Sequence, residues 1–326
     1  MATLQQIEKA ITQVPVITEG LITKEMKSQI EGKIVEFNEK KEKTKFIKVP
    51  FVGSFNAGKS SLMNILSCKP GLLPTDIVPE TAISYEMYYD TNERVELYKN
   101  GVKIDQKDIS DIANLSTEPG EVARVYIDSP SIKKYCEKGI ILVDMPGIGS
   151  GIERHDAAIF NYISEGTIFV LFIAAAKGGI NASTLSFIKE LMKYQLAPAI
   201  VITKTDMVGA DIDDISDDIE FQIKQVGINS VVRKVCAVNN DIGELLSFLD
   251  DLDVDAIKAK RLSSLVRIVI NSTISHLKIR SDIRSKDVEN INGIIQELED
   301  KINDFKAESP LGDGYGDTPE QSTEDI

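Results

Sequence analysis

Cysteine is scarce: Cys68, Cys136 and Cys236 stand far apart among 326 residues. With no Cys-x-x-Cys pair, a disulfide framework and a zinc knuckle are both excluded, and a reducing cytosol is the expected compartment. Basic residues are outnumbered, 37 Lys and Arg against 51 Asp and Glu, for a formal net charge of −14 and a pI of about 4.8. A nucleic-acid partner needs a strongly basic surface, so none is expected. Long apolar runs are missing too. The longest, TIFVLFIAAA from Thr167 to Ala176, is about half of a membrane span and reads as a buried strand. The N-terminus, MATLQQIEKAITQ, carries no signal-peptide apolar block. Any membrane contact is therefore expected to be peripheral.

What is present is ordinary for a globular chain: 42% hydrophobic and 27% charged residues, with length enough for one or two domains. Leu4, Ile7, Ile11 and Val14, then Met26, Ile30, Ile34 and Phe37, recur at helical spacing and predict one short and one long helix over 1–45. Between 46 and 253, strand-like segments alternate with helical patterns near 155–164, 182–194, 213–226 and 241–251. The strands are KFIKVPFVG, ISYEMYYD, RVELY, VKID, EVARVYID, GIILVD, TIFVLFIA, APAIVIT and VVRKVCAV. This alternation predicts an α/β fold, a three-layer arrangement around a mainly parallel sheet, with an antiparallel hairpin turning at Asn100-Gly101. Beyond Asp253 the pattern changes. Val288, Ile291, Ile295, Leu298, Ile302 and Phe305 form a heptad seam. One or two helices are expected over 254–306, covered by the N-terminal helix pair. The acidic stretch 307–326 is expected to be disordered.

Gly53-Ser54-Phe55-Asn56-Ala57-Gly58-Lys59-Ser60, continued by Ser61, matches G-x-x-x-x-G-K-S/T between a strand and a helix. That order suits phosphate binding. Glycines let successive backbone N–H groups converge on phosphate oxygens, and the helix N-terminus adds partial positive charge. Lys59 would reach the terminal phosphates and the Ser60 hydroxyl would hold Mg²⁺. Asp144-Met145-Pro146-Gly147 ends the apolar strand GIILVD. Asp144 is placed to reach Mg²⁺ through water, and the Gly147 N–H to reach a γ-phosphate. Thr203-Lys204-Thr205-Asp206 follows APAIVI. A carboxylate at Asp206 accepts both the ring N–H and the exocyclic amine of guanine, a donor pair that adenine lacks. Lys204 would lie along the base.

Four parts in this order resemble a GTPase of the translation-factor-related class. The loop G-x-F-N-A-G-K-S-S-L-x-N-x-L followed by LLPTDIVPETA is most similar to the bacterial dynamin-like proteins, over roughly 46–253 and with flanking helices as in that family. The resemblance implies a P-loop GTPase domain on a helical neck and hydrolysis of GTP to GDP and phosphate. It also implies self-association through the G domain, and membrane remodelling or tethering through peripheral lipid contact or a partner dynamin-like chain. By the same resemblance Thr81 is the switch threonine on Mg²⁺ and the attacking water, with Thr75 its competitor. Cys236-Ala237 offers a backbone N–H to the guanine oxygen, with Asn239 as the alternative.

Two positions depart from related enzymes. Ile148 stands where a Ras-type enzyme carries its water-orienting glutamine, and Phe55 where eukaryotic dynamins have a polar glutamine. Asn56 matches the asparagine of GTPases that use K⁺ as a catalytic ion, so a monovalent cation near the β- and γ-phosphates is the implied substitute. His155, Arg154 and His276 read as surface or structural residues. Lys258, Lys260, Arg261 and Arg267 read as a mixed-charge helix surface. The run DIDDISDDIE lacks the glycine and spacing of a calcium loop. Two other readings stand beside the dynamin-like one: an Era-like GTPase of RNA or ribosome assembly, and a nucleotide-binding scaffold with negligible turnover.

Overall fold

The computed structural model describes residues 3–75, 83–115, 120–148, 162, 168–194, 196–283 and 288–303. Thr81, Arg154, His155, all of the helix expected at 155–164 except Tyr162, the last seam residue Phe305 and the acidic tail lie outside the described residues. Those described divide into two compact units, one within Met1–Phe46 and Asp253–Pro310, the other within Ile47–Leu252.

The first unit is helical. Thr3 caps α1 (Leu4–Ile17) in a reciprocal capping box with Gln6, and the Thr23 side chain caps α2 (Lys24–Lys43). Each cap satisfies N–H groups that the first helical turn leaves free. Ile7, Ile11 and Val14 of α1 and Met26, Ile30 and Phe37 of α2 are buried, as their spacing predicts. They share one core with Val266, Ile270 and Leu277 of α8 (Val254–Ile283) and with Ile291, Ile295 and Leu298 of α9 (Val288–Asn303). The seam on α9 packs chiefly on α8, which also receives α1 and α2. Its main cover is thus the neighbouring helix in sequence rather than the N-terminal pair.

The second unit holds a nine-stranded sheet in the order β4-β3-β5-β2-β6-β1-β7-β8-β9. Its strands are β1 (Ile47–Gly53), β2 (Ser84–Tyr89), β3 (Arg94–Lys99), β4 (Val102–Lys107), β5 (Glu121–Ile127), β6 (Ile140–Asp144), β7 (Val170–Ala174), β8 (Ala199–Thr203) and β9 (Val232–Lys234). The run β6-β1-β7-β8-β9 is parallel throughout. β1, β6, β7 and β8 are buried along almost their whole length, so their apolar runs are continuous rather than alternating. On the other side β2 pairs antiparallel with β6 and parallel with β5, while β3 pairs antiparallel with both β5 and β4. The β3–β4 hairpin turns on Asn100 (φ 53°) and Gly101 (φ 79°), the positive-φ pair that a tight two-residue turn needs.

Helices α3 (Lys59–Leu66), α4 (Pro130–Lys138), α5 (Ala182–Lys193), α6 (Ile212–Gln225) and α7 (Gly243–Asp251) complete the described part of this unit. The sequence patterns did not mark α4. It is bounded by short-range signals instead: Ser129 Oγ accepts from the Ile132 N–H at 3.3 Å, Pro130 opens the first turn and Gly139 closes the helix at φ 85°. β1 lies inside the parallel run, with β6 on one side and β7 on the other. That is a switch point in strand order, where the carboxyl ends of an open α/β sheet leave a crevice.

Candidate functional site

The motifs meet at those carboxyl ends. β1 ends at Gly53, β6 at Asp144 and β8 at Thr203, so parallel pairing carries three segments distant in sequence to one edge. Gly53 is required by a close approach: a Cβ there would lie 2.4 Å from the Phe172 carbonyl oxygen on β7. The loop then curls through Asn56, which holds a left-handed φ of 59°, a conformation asparagine tolerates better than most side chains.

Lys59, at the start of α3, is only 7% exposed. Its Nζ donates to the carbonyls of Gly53 at 3.2 Å and Ser54 at 3.3 Å, which folds the side chain back along the loop. Burial lowers its pKa; the nearby Asp144 carboxylate opposes that effect and the Lys177 ammonium adds to it. Ser60 Oγ donates to Asp144 Oδ2 at 2.6 Å. The other oxygen, Oδ1, is buried without a hydrogen-bond partner among the described residues. Burial pushes the Asp144 carboxyl up to about 6, against the pull of Lys59 and Ser60. A hydroxyl and a buried carboxylate with one free oxygen form an all-oxygen donor set that suits Mg²⁺.

Past Asp144 the chain runs beside the loop. Ile148 donates its N–H to the Gly53 carbonyl at 2.9 Å and bridges to Ser54. Gly147 lies so close to Phe55 that an added Cβ would stand 2.9 Å from the Phe55 nitrogen. Phe55 itself is 43% exposed and Ile148 is buried. The position expected to lack a water-orienting glutamine is therefore filled by a core side chain.

At the end of β8, Thr203 Oγ1 donates to the Ala57 carbonyl at 2.7 Å, tying the third motif to the phosphate loop. Lys204 takes a left-handed φ of 56°, and Asp206 follows on a short 3-10 turn, Thr205–Met207. Cys236, 2% exposed, places its Sγ 3.2 Å from Asp206 Oδ1. Its N–H donates to the Asp241 carbonyl at 2.7 Å. Of the pair Cys236-Ala237, only the Ala237 N–H has no acceptor among the described residues. Thr75 is exposed, and Asn239 is exposed in the turn after Cys236.

One residue at this edge escaped the sequence reading. Lys177, on the 3-10 turn Ala175–Lys177 after β7, donates from Nζ to Ser54 Oγ at 2.8 Å. The available signal was topological: a lysine followed by two glycines, directly after a buried parallel strand. Among the described residues no cluster of His, Cys, Asp and Glu could hold a metal ion by itself, and no helix is long and apolar enough to cross a membrane.

Comparison with known proteins bears on this geometry. Residues 49–205 match the family model described as the Dynamin family. A curated relative, GTPase Der of Thermosipho africanus (strain TCF52B), is 24% identical over 218 residues, 63% of this chain and 48% of that protein. Two solved chains of an oligomerised bacterial dynamin pair share the fold. One has a TM-score of 0.53 at 14% identity, covering 85% of this chain and 45% of that one. The other has a TM-score of 0.51 at 15% identity, covering 86% and 45%. The dynamin pair is described as providing a mechanism for the long-range sensing and tethering of membranes. The chain spans about half the length of these relatives.

Proposed function

We propose that this chain, whose residues 49–205 match the Dynamin family model, is a dynamin-like G domain that binds GTP and hydrolyses it to GDP and phosphate. One observation carries the reading: Lys59, the Ser60–Asp144 pair and Asp206 lie together at the carboxyl ends of one parallel run. Gly53 to Ser61 hold the phosphates, with Lys59 turning from the loop carbonyls to the terminal phosphates. Ser60 and Thr81, and Asp144 through water, would hold Mg²⁺, which would offset the negative charge of the β- and γ-phosphates. Thr203 and Lys204 frame the base. Asp206 selects guanine, steadied by the Cys236 thiol, and the Ala237 N–H faces the guanine oxygen.

Cleavage adds a water oxygen to the γ-phosphorus and breaks its bond to the β,γ-bridging oxygen. Lys59 and the loop N–H groups stabilise the charge that develops there. Gly147, close beside Phe55 of the loop, would offer its N–H to the γ-phosphate. With Ile148 turned into the core, water is oriented by other groups. Thr81 would supply that function once two GTP-bound domains pair across the exposed Phe55, and Asn56 would hold a K⁺ ion whose charge would stabilise the phosphates. Self-association then moves the helical neck formed by the two ends of the chain, 1–45 and 254–306. Tethering or remodelling of membranes follows by analogy with the dynamin pair, through a partner chain or peripheral lipid contact.

Calorimetry tests the core of this reading. GTP with magnesium should give a binding isotherm that ATP does not. Asp206→Asn should weaken GTP by roughly 10²- to 10⁴-fold, because the guanine donors then face an amide instead of a carboxylate. Equal affinity for ATP and GTP, or an Asp206→Asn chain that binds GTP normally, refutes it.

A further inference from the structure

We propose that Lys177 is a positioning residue of the phosphate loop, acting through Ser54 and adding a second ammonium charge to the nucleotide site. The proposal rests on the reading of that loop as a GTP site. Ser54 is where three segments meet. Its carbonyl accepts from Lys59 Nζ at 3.3 Å, its backbone bridges to Ile148 after β6, and its hydroxyl accepts from Lys177 Nζ at 2.8 Å. Lys177 thus grips the loop from the β7 side, while Ile148 holds it from the β6 side.

The turn that carries Lys177 is fixed rather than loose. The Gly178 N–H closes it on the Ala175 carbonyl at 2.9 Å. Gly179 is backed by α6, where an added Cβ would stand 3.3 Å from Gln222 Nε2 and 3.5 Å from Asp218 Oδ2. The turn also packs against the 3-10 turn bearing Asp206. Among the described residues no carboxylate pairs with Lys177; its partner is a neutral hydroxyl. Its charge therefore acts within the loop, where it opposes protonation of Lys59. An ammonium held in this way attracts an incoming polyphosphate, and more strongly the greater the phosphate charge. GTP should gain more from it than GDP.

The test uses the full chain and titrations of GTP and GDP with magnesium at low and at physiological salt. Lys177→Met should weaken GTP about fivefold at low salt and GDP by less, a gap that narrows as salt screens the charge. Lys177→Arg should bind GTP within about twofold of wild type, since charge and donor are kept. Adding Ser54→Ala to Lys177→Met should cost less than Ser54→Ala alone, as coupled partners require. Thermal melting of the exposed Lys177 variants should match wild type. If wild type binds GTP and Lys177→Met binds it equally well at low salt, the role of Lys177 is overturned while the site reading stands. If wild type binds no GTP, both fall together.

Discussion

Asp144 concentrates the tension in the site. It is buried at the end of β6, with one oxygen on Ser60 and the other without a partner among the described residues. Its carboxyl is pushed up to about 6 from 3.8. Between those values the folded protein holds a proton that the unfolded chain has released. Stability from this group is therefore fully present below about pH 4 and is lost as pH rises through 6. Replacing it with asparagine removes the cost of the buried charge. Without nucleotide, Asp144→Asn should be more stable than wild type at pH 7.5 by about 3 kcal/mol, with little difference at pH 4. Denaturant titrations of both chains at the two pH values measure this. An offset independent of pH would mean that Asp144 is ionised at no cost. The same substitution should weaken magnesium-dependent GTP binding, so the native carboxylate trades stability for charge at the metal position.

At the scale of elements, α4 offers a separable test, because its cap lies away from the nucleotide edge. Ser129→Ala leaves the Ile132 N–H without its acceptor and should cost about 1 kcal/mol of stability. GTP affinity should not change. A parallel loss of affinity would mean that α4 positions the site. What could be read from sequence follows from how locally each feature is encoded. The continuous apolar runs of β6, β7 and β8 announce a buried parallel sheet, and Asn100-Gly101 announces its hairpin. Gly53 to Ser60 is legible because one local stretch supplies strand end, loop and helix start. α4 was missed because its nine residues give too few turns for a periodic pattern, although its Ser-Pro start and Gly stop were in view. The antiparallel pairing of β2 with β6 was equally hidden, since strand direction is decided by partners far away in sequence. Lys177 was illegible for the same reason: its meaning comes from Ser54, which lies 123 positions away.

For the whole molecule, charge decides how pairing of G domains can be tested. The chain carries a formal net charge of −14, so two copies repel each other at long range, and added salt shortens that repulsion to roughly 8–10 Å at near-physiological strength. If hydrolysis needs two GTP-bound domains, turnover per molecule should rise with protein concentration. That rise should be steeper at about 150 mM salt than at about 20 mM, because screening lets like-charged copies approach. A nucleotide-bound monomer would behave in the opposite sense, since salt weakens phosphate binding and leaves nothing to gain. Holding total salt fixed and exchanging Na⁺ for K⁺ then isolates the Asn56 cation from general screening. Faster turnover in K⁺ at constant ionic strength, confined to concentrations where turnover is already climbing, places the ion in the paired state. Turnover that ignores both concentration and cation leaves the single domain to orient its own water, with Ile148 in the core and Phe55 at the surface, and predicts a chain that holds GTP far longer than it cleaves it.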